Sequence, residues 1–171
     1  MVIVEGLNCA GKSTWINNQI FEIEDKIGIK PQHLITSWAN PLRFNDEKKK
    51  ILHYDQFGCS FDSYLVGCFE SVAKLELYKP IFWDRSFITA YAYGSINLEQ
   101  FMYLVDKFRT WNRFVFIDTK VTTCLKRFKK IYKDKTYVEK PSLEKWLQIR
   151  VKLIDAMEIA SGGTFETIKG E

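Results

Sequence analysis

Nowhere in this chain do apolar residues run together for the roughly 20 positions that a membrane-spanning helix needs. Methionine 1 leads straight into a strand-like run, so no secretory leader is expected. Histidine is scarce, with only His33 and His53. The four cysteines, at 9, 59, 68 and 124, contain no Cys-x-x-Cys pair and stand apart from both histidines. No zinc site is expected, and the thiols read as reduced and unpaired, mostly small buried hydrophobes in a cytoplasmic setting. Proline and glycine are sparse, at 4 and 9 residues, and they mark out no linker, repeat or low-complexity stretch. Strong charge is lacking too: the net value is +4, drawn largely from residues 120–135. That is too short a basic run for an extended nucleic-acid footprint, so nucleic acid is disfavoured as a partner and no membrane partner is expected.

The chain does have aromatic residues, at 15% of 171 positions, and enough length for one domain over residues 1–171 with a ring-rich core. Strand-like runs alternate with helical patterns. Val2–Glu5 reads as a buried strand, and Lys12 to about Glu22 as the helix after it. His33–Ser37, Lys79–Asp84, Arg113–Thr119 and Thr164–Ile168 read as four more strands. Residues 44–54, 61–77, 121–132 and 142–160 are helical by periodicity. Asn97-Leu98-Glu99-Gln100 has the form of a capping box, followed by an apolar stripe of Leu98, Phe101, Met102, Val105 and Phe108. Strands separated by helices imply a parallel sheet covered on both faces, with ligands at the carboxyl ends of its strands.

One stretch carries chemistry outright. Gly6-Leu7-Asn8-Cys9-Ala10-Gly11-Lys12-Ser13 fits G-x-x-x-x-G-K-[ST], with a strand before it and a helix after it. The glycines let the backbone curl closely around phosphate, and the helix that opens there presents unpaired N–H groups and a positive dipole end. Lys12, expected on a solvent-accessible loop, would bridge the outer phosphates of ATP, and the Ser13 hydroxyl would ligate Mg²⁺. Asn8, Cys9, Ala10, Gly11, Lys12, Ser13 and Thr14 are therefore the candidate nucleotide-binding residues.

A second stretch, PIFWDRSFITAYAYG (80–94), ends a buried strand on Asp84-Arg85. An aspartate there can orient a metal's water or take a hydroxyl proton, and the arginine can grip a second phosphate with two parallel bonds. An ordinary structural Asp–Arg pair is the simpler alternative.

VEGLNCAGKST resembles the phosphate loop of thymidylate kinases, EGLDxAGKST, and DRSFITAYAYG resembles that family's DRYxxSxxAYQG element. DTKVTTCLKRFKK (118–130) and YVEK…LEKWLQIRVKLIDAM are weaker likenesses to later parts of the same family. The resemblance implies a P-loop kinase three-layer sandwich with a five-stranded parallel sheet of order 2-3-1-4-5. It implies ATP and Mg²⁺ as cofactors, with Lys12, Asp84, Arg85 and Arg127 catalytic and Ser13 and Asp84 at the metal. Asn8, at the family's Asp or Glu position, would face the acceptor sugar, and Tyr93 would line the acceptor pocket.

The chain also departs from that pattern. SWANPLR replaces the usual Arg-Glu-Pro arrangement after the second strand, leaving Arg43 as the nearest guanidinium for the acceptor. No arginine stands between Arg43 and Arg85. FDSYLVGCFESVAK (61–74) offers Phe61, Tyr64 and Phe69 as stacking rings and Glu70 as a polar contact, with Tyr64 the acceptor candidate among them. Cys9 sits where some thymidylate kinases carry a catalytic arginine, so the cation has to come from a basic lid at about residues 127–141. Arg127 leads, with Lys129, Lys130 and Lys133 behind it. Together these features predict phosphoryl transfer from ATP to a deoxynucleoside monophosphate, dTMP or a related one. A deoxynucleoside kinase, a polynucleotide 5′-kinase and a non-catalytic nucleotide-binding module are the alternatives. The partners expected are small-molecule nucleotides, with a homodimer left open. The compactness suits a viral enzyme, which would place it in host cytoplasm.

Overall fold

The computed structural model of the chain describes residues 1–36, 61–75, 80–109, 112–131 and 142–170. Within them run β1 (Val2–Glu5), α1 (Lys12–Ile27), β2 (Gln32–Ile35), α2 (Phe61–Leu75), β3 (Ile81–Asp84) and α3 (Phe87–Ala92). They are followed by α4 (Leu98–Phe108), β4 (Arg113–Asp118), α5 (Val121–Ile131), α6 (Leu143–Ser161) and β5 (Glu166–Lys169). The five strands form one sheet of order β2-β3-β1-β4-β5 in which every neighbouring pair is parallel. This is the order expected from the sequence. The expected helix at 44–54 and the lid beyond residue 131 lie outside the described residues.

Alternate side chains of β3 show why helices must cover both faces. Phe82 turns to one side and meets the Trp15 ring of α1 edge-on, at 6.1 Å between centroids. Trp83 turns to the other side, where Phe69 of α2, Phe87 of α3 and Phe108 of α4 surround it at 5.7, 6.0 and 5.2 Å. Its indole N–H is not wasted, because it donates to Thr36 Oγ1 at 2.7 Å. Phe87 in turn stacks on Phe108 at 5.4 Å, so four rings meet in one cluster on this face of the sheet.

Several boundaries move for physical reasons. α1 continues past Glu22 to Ile27, with Ile23 partly buried against the core, and Gly28 then stops it in a left-handed C-cap. Asn97 does cap α4 with the reciprocal Gln100 bond. The inward stripe of that helix is Phe101, Leu104, Val105 and Phe108, however, while Leu98 and Met102 are exposed. The spacing i, i+3, i+4, i+7 from Phe101 fixes the stripe, and Leu98 and Met102 fall beside it. α3 was not foreseen; Ser86 caps it, accepting from the Ile88 N–H at 3.2 Å.

Gly6 ends β1 with φ +145°, and a Cβ there would lie 2.6 Å from the Ile117 carbonyl oxygen of β4. Neither backbone can give way without parting two paired strands. Gly6→Ala should therefore cost on the order of 2–4 kcal/mol in stability, measured by chemical denaturation, and abolish ATP-dependent thermal stabilisation.

Candidate active site

The phosphate loop owes its shape to what happens to its carbonyl groups. The Ala10 N–H closes the turn on Leu7 O at 3.2 Å. Thr119, just past β4, donates its hydroxyl to Ala10 O at 2.7 Å, and Arg127 on α5 donates to Cys9 O at 3.3 Å. Lys12 donates to Gly6 O at 2.9 Å and Leu7 O at 3.0 Å. With these four carbonyls engaged, the N–H groups of the first turn of α1 are the loop's unspent polarity, since a helix start leaves them without intrahelical partners. Cys9 accepts a left-handed φ of +63° to complete the turn. Burial pushes its thiol up despite the nearby cations Lys12, Arg85 and Arg127, so it supplies no charge at neutral pH.

Lys12 departs from expectation: it is buried, with 4% of its surface accessible, rather than exposed on a loop. The ammonium is drawn inward by the two carbonyls and by Asp84, whose Oδ1 lies 3.8 Å away. Burial lowers its pKa against the opposing pull of Asp84. Asp84 closes β3 and is also buried. Burial by itself would raise its carboxyl, but Lys12, His33, Arg85 and Ser13 together hold it below the ordinary value. Ser13 Oγ donates to Asp84 Oδ2 at 3.1 Å, and His33 Nε2 on β2 stands 3.7 Å from the same oxygen. Asp84 Oδ1 accepts no hydrogen bond among the described residues.

A cleft of about 530 Å³ joins these groups. Lys12, Ser13, Asp84, Arg85 and Arg127 all line it, so five sequence candidates from three separate stretches meet in one place. Cys9, Ala10, Gly11 and Thr14 line it as well. Asn8 is buried behind the loop and is not part of the cleft wall. Tyr93 is half-buried, and burial raises its phenol, whose hydroxyl bonds the Asn8 backbone. Arg43 and the Tyr64 side chain lie outside what the structure describes.

The sequence reading missed the far wall. Ile131 and the segment Ile168–Gly170 line the cleft beyond the loop. At Gly170 a Cβ would fall 1.8 Å from Thr119 Oγ1 and 2.7 Å from Ala10 O, so β5 ends pressed against the loop's brace. The parallel-sheet rule points to this strand end, but the expected strand stopped at Ile168, one residue short. His33 was missed as well, since a single histidine on an edge strand carries no motif.

Glu5, the last residue of β1, is fully buried. Ser86 N–H and Ser86 Oγ each donate to its Oε1 at 2.7 Å, and the Thr89 hydroxyl donates to its Oε2. Burial raises its pKa from 4.5 to about 7, against the opposing effects of Ser86, Thr89 and Lys12. Because the folded value lies above the unfolded one, Glu5's contribution to stability is complete below about pH 4.5 and is lost as pH rises through about 7. Up to about 3 kcal/mol is involved. The difference in unfolding free energy between pH 5 and pH 8 should therefore shrink in Glu5→Gln relative to the parent. An unchanged difference would place the titration elsewhere.

Neither a protein-family model nor a curated protein matches the sequence. Solved structures do. The YorR protein of Bacillus subtilis, determined in complex with phosphorylated GDP, superposes with a TM-score of 0.57 at 16% identity, covering 99% of this chain and 84% of that one. A deoxyadenosine kinase from M. mycoides, determined with the products dCMP and a flexible dCDP bound, gives 0.51 at 14% identity, covering 99% and 89%. At these identities the likeness is one of fold: the chain has the α/β architecture of P-loop kinases, a five-stranded parallel sheet of order 2-3-1-4-5 between helices.

Proposed function

We propose that the protein transfers the γ-phosphoryl group of ATP to the phosphate of a deoxynucleoside monophosphate. The observation that carries the reading is the placement of Arg85: it shares the cleft with the phosphate loop, directly after Asp84. A cleft that only holds ATP has no need of a second anion-binding group there. A kinase whose acceptor is itself a phosphate does. The bound ligands of the two similar structures, phosphorylated GDP in one and dCMP with dCDP in the other, fit the same class of small molecule.

The donor's triphosphate would rest on the first turn of α1, with its base toward Ile131 and Ile168, which line the same cleft. Two hard oxygen donors, the Ser13 hydroxyl and the hydrogen-bond-free Oδ1 of Asp84, fit Mg²⁺. When bound, the ion would neutralise charge on the transferring phosphates. Lys12 and Arg127 would supply the remaining cationic surround, and the protein's part is chiefly positioning and electrostatics.

A deoxynucleoside kinase is the second reading, favoured by the activity named for the M. mycoides structure. A 5′-hydroxyl acceptor calls for a general base. Among the described residues two carboxylates are buried near the cleft: Asp84 is shared between Lys12, Ser13 and the place given to Mg²⁺, and Glu5 is held by Ser86 and Thr89. The described residues therefore favour the phosphate acceptor.

Labelled ATP offered with deoxynucleoside monophosphates, nucleosides and 5′-hydroxyl oligonucleotides separates the readings. Transfer to monophosphates is the expected result. Label on nucleosides or oligonucleotides would replace the reading, and no transfer at all would leave a nucleotide-binding module. Lys12→Ala should lower turnover at least about 10²-fold, and Arg127→Ala should lower kcat far more than it raises KM for ATP. Arg85→Lys should raise KM for the acceptor roughly tenfold and leave that for ATP unchanged, because a point charge cannot reproduce a two-bond fork.

A further inference from the structure

Glu5 lies outside the cleft, yet its hydrogen bonds bracket a residue that lines it. Arg85 has φ +64°, a conformation that L side chains rarely hold unless the surroundings impose it. Its own N–H reaches Val4 O at 3.4 Å, and the next N–H, that of Ser86, reaches Glu5 Oε1 at 2.7 Å. Two consecutive residues of β1 thus pin the two peptide groups flanking Arg85. The Ser86 hydroxyl adds a second bond to Glu5 Oε1 while accepting from the Ile88 N–H, and Thr89, one turn into α3, takes Oε2. Glu5 directly precedes Gly6, so the element that fixes the arginine is continuous with the phosphate loop.

We propose that Glu5 is a positioning residue whose side chain clamps the Arg85 turn to β1, holding the guanidinium in register with the phosphate loop for recognition of an acceptor phosphate. The proposal rests on the acceptor role given to Arg85 above. The chemistry of the three donors says which replacements preserve the clamp. The Ser86 N–H can only donate, so an oxygen must face it. The Thr89 hydroxyl can reverse and accept. A glutamine, with its oxygen toward Ser86 and its NH₂ toward Thr89, keeps every contact. An alanine leaves an N–H and two hydroxyls buried without Glu5 to receive them, and the Arg85 turn is released from one side.

The test measures ATP and deoxynucleoside monophosphate binding separately by calorimetry on the full chain. The variants are Glu5→Ala, Glu5→Gln, Thr89→Val, Arg85→Ala and the Glu5→Ala/Arg85→Ala double variant. Exchange of the Ser86 amide is followed alongside. Glu5→Ala should weaken monophosphate binding roughly tenfold and ATP binding less than about twofold, with faster Ser86 exchange. Glu5→Gln should restore both. In the Arg85→Ala background the Glu5→Ala change should add nothing to the loss of monophosphate affinity. Equal losses for both ligands, or an additive double variant, would overturn the proposal and leave Glu5 a structural brace. Should Glu5→Ala fail to fold, Thr89→Val removes one of the three donors and should show the same selective loss at smaller size. If the parent protein binds no monophosphate, the acceptor reading falls. The clamp is then decided by Ser86 exchange alone, and an unchanged rate in Glu5→Ala or Thr89→Val would sink it.

Discussion

The site depends above all on the disposal of four backbone carbonyls. A loop that wraps an anion must turn its N–H groups inward, and the carbonyls between them must then be satisfied from outside. Here Gly6 and Leu7 are served by Lys12, Cys9 by Arg127 and Ala10 by Thr119. The donors come from α1, from the end of β4 and from α5, so three elements of the fold converge on eight residues of loop. The sheet order makes this convergence available. β1 is central, with β3 and β4 on either side, and the carboxyl ends of all three strands open on the same edge.

That arrangement also explains which parts of the site were legible in the sequence. The loop octet was legible because its glycines are forced: the φ of +145° at Gly6 and the Ile117 carbonyl beside it leave no alternative residue. Asp84-Arg85 was legible as a charged pair ending an apolar strand, and Arg127 through its place in a basic helix. The sheet and its order followed from alternation plus the resemblance those motifs carry. The braces were not legible. Thr119 contributes one polar side chain without periodicity or motif, Glu5 stands in the loop motif without a bracing role being visible there, and both roles appear only when distant segments meet. Nor could the exposure of Lys12 be read correctly. A lysine in a glycine-rich loop looks solvated until the carbonyls of that loop are counted as its partners.

Buried charge sets the remaining terms. Glu5, Lys12 and Asp84 lie close together below the protein surface, and each is held by several hydrogen bonds or ion pairs rather than by one. An isolated charge at that depth would be neutralised or expelled. Lys12 is the balancing member, since it favours the charged forms of both carboxylates. Glu5 is the one held most loosely as an ion, because hydroxyl partners can serve a neutral carboxyl almost as well as a charged one.

Lys12 must therefore change partners for the proposed chemistry to proceed. In the structure its three donors face Gly6 O, Leu7 O and Asp84, all internal to the site. A triphosphate arriving on the first turn of α1 offers oxygens of higher charge than either carbonyl, and a charge-assisted bond is about twice as strong as a neutral one. The exchange is thus favourable at the ammonium. It would also withdraw a cation from Asp84, whose Oδ1 is one of the two oxygens that would hold Mg²⁺. The same step releases the carbonyls of Gly6 and Leu7, and part of the loop's brace is given up. Thr119 and Arg127 keep their hold on Ala10 and Cys9 throughout, because neither bond involves the migrating group. On the proposed chemistry the loop would hence yield at its first residues while its far end stays fixed, and nucleotide entry would call for a local shift of Lys12 and not a rearrangement of the sheet.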